Sequence, residues 1–432
     1  VEAAKAHDGP VLVVLPEVRT SYQLLEEIRF YAQSEKDLPI LIFPDWENLP
    51  YDALSAHPDI ISRRLQTPYR LPNLKRGIVI ATITTLMHKL CPPEYVNGHS
   101  FLLRSKETLD VADFRQRLVR AGYQAVSQVM EAGEFAIRGG LVDLYPMGSA
   151  TPYRIDLFGE EVESIRTFDP ETQRSQEKLD SIQLLPAREF PMTEAGIQRF
   201  RQSFRARFTG DPQEKSLYRD VSKGIAPAGA EYCLPLFFES LVSFFDYLPP
   251  TALCIIDKAI KPAAETFARE TAERYEQLRF DTERPVVPPD DLFLSPSTIA
   301  EAFNGYVKVT LLAFRDDEEQ PLPDSSTILF ATQAPPNLPA DRRSEQPYHR
   351  LWDFLETYKG RVLLVASSPG RRETLKALLR DHNQSSVDVD GWPSFLAGDQ
   401  PLSIAVADID KGLLLAEPAI CIITEAQLYG ER

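Results

Sequence analysis

Cysteine is scarce in this sequence. Four residues among 432, Cys91, Cys233, Cys254 and Cys421, lie far apart with no CxxC pair and no Cys/His cluster. That excludes the usual zinc-ligand spacings, and with Cys254 and Cys421 set inside apolar runs it points to buried thiols in a reducing compartment. Histidine is equally thin, six scattered residues with none at i, i+4, so no metal is expected. Gly-Lys followed by Ser or Thr never occurs, which removes the loop whose amides and lysine cradle nucleotide phosphates. No Ser-His-Asp arrangement, G-x-S-x-G elbow or paired-carboxylate spacing stands out. Long charge-free apolar runs are missing too. The greasiest segment, LPLFFESLVSFFDYLP (234–249), is interrupted by Glu239 and Asp246 and reads as a core helix, not a membrane span. The opening, VEAAKAHDGPVLVVLP, lacks both Met and a leader pattern and reads as the start of an excised piece.

What is present is acid and a sizeable core. Asp and Glu number 63 against 47 Lys and Arg, a net charge of −16, while hydrophobic residues make up 43 % and aromatics 10 %. Such a surface repels duplex DNA at long range unless a local basic patch compensates. The length exceeds one compact core, and two to four domains are expected.

Residues 1–99 alternate buried strands with helices: PVLVVLP (10–16), helix SYQLLEEIRFYAQ (21–33), LPILIFP (38–44), then GIVIATITTLMHKL (77–90), a strand running into a helix. Continuous rather than alternating hydrophobicity predicts a parallel sheet covered on both faces. Residues 100–185 differ. Helix VADFRQRLVRAG (111–122), with Asp110 as N-cap and Gly122 as its stop, precedes short strands broken by Gly and Pro, the pattern of a small α+β unit. Helices dominate from 193 to about 314 around the apolar strand TALCIIDKAI (251–260). A Pro-, Asp- and Ser-rich linker spans 315–347, and 348–432 is again α/β.

Two stretches invite a chemical reading. The strand CIID ends in Asp257 as a Walker B strand does, but the next residue is Lys258, where helicase-like ATPases carry Glu. A cation cannot orient the attacking water, so no hydrolase activity is expected here. A buried strand that merely ends in Asp accounts for it as well. Glu425, at a strand end in IITEA, occupies a site-like position or a helix cap. The second stretch is the small β unit. In EFAIRGGLVDLYPMG, Arg138 precedes the pair Gly139-Gly140, which within a strand implies a bulge or a close backbone approach. In YRIDLFGEE (153–161), Arg154, Asp156 and Phe158 share the face opposite Tyr153, Ile155 and Leu157. A large aromatic beside arginines is the make-up of a binding hot spot, with Asp156 placed to hold Arg154. Alternatively the face packs within the chain, and the exposure of Phe158 distinguishes the two.

The stretch 128–175, with its G-E-[FY]-x-x-R-G run ending D-L-Y-P and followed by R-I-D-L-F and a second F-D, closely resembles the module shared by UvrB proteins and the bacterial transcription-repair coupling factors (the Mfd family). DWENLPYD, HPDIISRRL and SKGIAPAGAEYCLPLFF look like the coupling factors rather than UvrB. The resemblance implies an α/β chain: a degenerate helicase-like (P-loop-type) parallel-sheet domain in two segments, 1–99 and 186–314, interrupted by a UvrA-binding module at 100–185, with a separate α/β domain at 348–432. It implies a non-catalytic, monomeric, cytoplasmic recruiter of UvrA in transcription-coupled repair, with Arg138, Arg154 and Phe158 as the UvrA contacts and Gly139, Gly140 and Asp156 in support. RNA polymerase, DNA, ATP and magnesium belong to domains beyond this stretch. The competing reading is an active UvrB- or helicase-type ATPase, which the Asp257-Lys258 pair disfavours.

Overall fold

The structure is a computed structural model that describes residues 1–312, 330, 332–341 and 346–429. Of the linker read at 315–347, residues 313–329, 331 and 342–345 lie outside the described residues. The chain forms two compact units, one of residues 6–18 and 41–311, the other of residues 1–5, 19–40 and 312–432.

The larger unit holds a five-stranded sheet in the order Val307–Leu311, Leu253–Asp257, Pro10–Leu15, Gly77–Thr82, Ile40–Phe43. The strand Pro10–Leu15 runs parallel to Leu253–Asp257 on one side, with Val11 opposite Leu253, and to Gly77–Thr82 on the other, with Val11 opposite Ile78. Every residue of Pro10–Leu15 and Gly77–Thr82 is buried. This is why those segments read as unbroken apolar runs: both faces of these strands are closed to water, so neither face can carry polar residues. The segment 234–249 is not a helix. Two short 3-10 turns, Ala230–Leu236 and Phe244–Asp246, occupy it. Pro235 denies the chain an amide there, and Asp246 accepts the Ser243 amide and hydroxyl in a local cap. Asp257 ends its strand as foreseen, but its carboxylate accepts the Ala259 amide at 2.7 Å and so caps the turn into helix Ile260–Leu278.

Inserted in this unit is a six-stranded sheet ordered Ser175–Leu179, Glu161–Phe168, Tyr153–Phe158, Leu141–Leu144, Glu134–Arg138, Gln124–Ala125. Helix Val111–Arg120 buries Phe114 and Leu118, and Asp110 caps it by accepting the Ala112 and Asp113 amides at 2.8 and 3.1 Å.

The second unit carries another six-stranded sheet whose centre is Ile420–Thr424, Arg361–Ala366 and Leu402–Val406, all parallel. Residues 19–40 belong to it. Phe30, from helix Val18–Tyr31, is buried with Leu363, Val365 and Phe395, and Tyr31 meets Trp392 edge-on at 5.2 Å. Glu425 begins helix Glu425–Tyr429, accepts the Ser367 amide and hydroxyl, and pairs with Arg371. Those partners hold its carboxyl below the usual range against the opposing pull of burial.

Candidate functional site

The module's sheet lays a row of residues across its strands. Ala136 pairs with Asp143, Asp143 with Arg154, and Arg154 with Arg166. Directly opposed side chains in antiparallel strands sit close enough to bond, and diagonal neighbours remain within reach of long side chains. Asp143 uses both options. Its side chain is fully buried, and it accepts Arg154 Nε at 2.7 Å and Nη2 at 3.0 Å from across the strand. It also takes Arg138 Nη2, from the diagonal, at 2.8 Å. Sequence reasoning missed Asp143. Its signal was a carboxylate in the middle of LVDL, flanked by Val142 and Leu144 that are themselves wholly buried. An acid inside an apolar strand requires a cation partner.

The two arginines consequently differ. Arg154 also donates to the Gln173 carbonyl at 2.9 Å, and its guanidinium lies 4.8 Å from the Phe168 ring centroid. Its side chain retains 16 % exposure, whereas that of Arg138 retains 53 %. Phe158 is 79 % exposed, so the reading in which its ring packs within the chain fails. Asp156 does not hold Arg154; it accepts the Ser164 hydroxyl at 2.7 Å. The register shift between Asp156 and Leu157 leaves Glu163 unpaired, a bulge in the partner strand Glu161–Phe168.

Gly139 and Gly140 do not interrupt a strand; they are the turn joining Glu134–Arg138 to Leu141–Leu144. Gly139 takes φ +61°, and a Cβ on Gly140 would stand 2.9 Å from the Leu157 carbonyl oxygen. The Leu157 amide donates to the Gly140 carbonyl at 2.8 Å. This close approach sets the glycine turn beside Phe158, so Arg138, the turn and the aromatic lie at one end of the sheet.

Just past the module, a buried charge pair ties the chain leaving it to helix Pro58–Arg70 of the parallel-sheet part. Glu189 accepts Arg64 Nε at 3.0 Å and Trp46 Nε1 at 2.7 Å. Arg64 also donates to the Pro44 carbonyl at 2.8 Å and lies 4.8 Å from the rings of both Phe43 and Trp46. Nearby, His88 is wholly buried among Trp46, Phe267 and Phe293, and burial pushes its pKa down to about 4. A cleft of about 240 Å³ opens where the module meets its surroundings, lined by Ser55, Gly133, Glu134, Arg188 and Glu231 among others. Burial raises the Glu231 carboxyl, to which Ser55 donates. Among the described residues there is no group of three or more His, Cys, Asp or Glu able to hold a metal, and no helix is long and apolar enough to cross a membrane.

Comparison with known proteins places this geometry. Residues 101–190 match the family described as the UvrB interaction domain, and residues 354–428 match the D3 domain of MFD. The chain is 36 % identical over 435 residues to the transcription-repair-coupling factor of Escherichia coli K12, and 35 % identical to that of Haemophilus influenzae. In both cases the whole chain is covered but only 37 % of the relative. The Bacillus subtilis factor is 26 % identical over 423 residues, which cover 92 % of this chain and 34 % of that protein. Aligned over its full length with little more than a third of such proteins, and carrying both domains, the chain belongs to the transcription-repair coupling factor family.

Proposed function

We propose that this chain is a non-catalytic recruiter that docks UvrA through the end of its module sheet, bringing it to RNA polymerase stalled at DNA damage. The observation that carries the reading is Phe158, a large aromatic left 79 % exposed inside the segment matched as a UvrB interaction domain. Beside it Arg138 offers a half-exposed guanidinium whose position Asp143 fixes. A rigid aromatic and an arginine, both already oriented, lose little freedom on binding, and such anchors dominate interfaces. Arg154 acts in this scheme through its partners: Asp143, Gln173 and Phe168 hold it as the floor beneath Arg138. Polymerase contacts and ATP-driven translocation along DNA, with magnesium, belong in this proposal to the remaining two thirds of a full-length relative. The chain works in the cytoplasm as a monomer. An active UvrB-type ATPase is the weaker reading, because exposed Lys258 follows Asp257 and Asp257 is engaged as a turn cap.

Titration with purified UvrA tests this, comparing wild type with Arg138→Ala and Phe158→Ala. Each substitution should weaken binding by more than about 1 kcal/mol, roughly fivefold or greater, with circular dichroism unchanged. Wild-type affinity in both variants would remove this surface from the reading.

A further inference from the structure

The chain's excess of acid reverses locally. Between residues 194 and 223 there are seven Lys and Arg (Arg199, Arg201, Arg205, Arg207, Lys215, Arg219, Lys223) against four Asp and Glu (Glu194, Asp211, Glu214, Asp220), whereas the whole chain has 47 against 63. Helix Glu194–Arg207 buries Gly196, Phe200 and Phe204 and carries no acid after its first residue. It packs against helix Ser216–Ser222. Arg201 donates to the Ser222 hydroxyl at 3.1 Å and to its carbonyl at 2.7 Å, next to exposed Lys223. Arg205 lies 5.5 Å from the Tyr218 ring centroid, next to Arg219, which donates to the Gln213 carbonyl at 3.0 Å.

Neutral acceptors therefore fix these guanidinia without cancelling their charge. Among the described residues, ion pairs in this stretch involve Arg207 with Asp291 and Arg199 with Glu239, the latter at 3.6 Å between exposed side chains. Arg201, Arg205, Arg219 and Lys223 form none among the described residues. We propose that the seam between these two helices is a contact for the phosphate backbone of duplex DNA. Arg201 and Arg205, one turn apart, are separated by about 6 Å along the axis, comparable to successive phosphates on one strand. A protein partner calls for an apolar centre, and the one large hydrophobic exposed between 194 and 225 is Ile225. Contacts to DNA are instead polar and strongly positive, and sequence is not read through the backbone.

The test is fluorescence anisotropy with a labelled 20-base-pair duplex, salt being raised from 50 to 200 mM. Wild type should bind with a negative slope of log K against log salt. Arg205→Ala/Lys223→Ala should lose roughly tenfold per contact at 50 mM and flatten the slope by about 2. Phe158→Ala should bind the duplex like wild type, which separates this surface from the proposed UvrA face. If the double variant misfolds by circular dichroism, Arg219→Ala carries the same expectation with a slope change of about 1. Salt-independent or undetectable duplex binding, or an unaltered slope in the folded variants, overturns the proposal. So does poly-glutamate competing as well as unlabelled duplex at equal charge, which assigns the seam to an acidic protein.

Discussion

Replacing Glu189 with Leu should destabilise the larger unit severely, and the magnitude follows from what Arg64 would be left with. The Arg64 side chain is wholly buried, Glu189 is its carboxylate partner at 3.0 Å, and Nη2 already lacks a hydrogen-bond partner. Without the carboxylate, the Pro44 carbonyl and two ring faces are the named contacts left around a full charge cut off from water. Breaking a buried pair by removing one partner costs about 3–5 kcal/mol. The Trp46 indole N–H loses its acceptor in the same change, adding about 1–3 kcal/mol. With a urea m-value near 3 kcal/mol/M, the midpoint of the transition should fall by more than 1 M. Unfolding is best followed by hydrogen exchange in the fully buried strands Pro10–Leu15 and Gly77–Thr82, because two compact units need not melt together. The companion variant decides the cause. Arg64→Met/Glu189→Leu removes both charges and should recover much of the loss, since apolar replacement of a buried pair is often neutral. If the double variant is as unstable as Glu189→Leu alone, the loss comes from packing and the buried-charge account is wrong.

Two further expectations concern the same unit. His88 has a folded pKa near 4 against an ordinary 6.5, so the unfolded chain binds its proton first. The neutral ring's contribution is complete above about pH 6.5 and is lost as pH falls towards 4, up to about 3 kcal/mol in all. His88→Phe should flatten that part of the urea-midpoint profile, and an identical profile in the variant would refute the assignment. In the glycine turn, Gly140→Ala should cost about 1–3 kcal/mol, because its Cβ meets the Leu157 carbonyl. Gly139→Ala has open space and meets only the left-handed penalty of about 1 kcal/mol; faster exchange of the Leu157 amide in Gly139→Ala than in Gly140→Ala would contradict this order.

Strands and helices whose burial is uniform were legible because periodicity reports burial. Pro10–Leu15, Gly77–Thr82 and the Asp110-capped helix are all visible in the sequence, the last through its cap chemistry. The segment 234–249 is apolar enough for a core helix, but Pro235 and the Ser243/Asp246 cap confine it to short 3-10 turns. At the candidate site, Phe158 and Arg138 stood out by residue type. Asp143 did not, because its importance comes from register: only the strand pairing shows that one carboxylate lies across from Arg154 and diagonal to Arg138. The same ignorance of pairing assigned Arg154 to Asp156. The membership of residues 19–40 in the second unit was invisible for a similar reason, since Phe30 sits on an ordinary amphipathic helix whose apolar face has no address.

That helix makes the timing of synthesis matter. Phe30 and its buried neighbour Val365 are about 335 positions apart, and at roughly 5–20 residues per second the ribosome takes about 17–67 s to connect them. Throughout that interval the helix is complete but the sheet it covers does not exist. A nascent chain paused before residue 361 therefore displays Phe30 without its partners, while a chain begun after residue 40 makes a sheet that lacks its Phe30 cover. Loss of residues 19–40, or of the strands from 361 onward, leaves an apolar surface bare, and whatever handles the growing chain has to shelter residues 19–40 until residues 361–424 have been made.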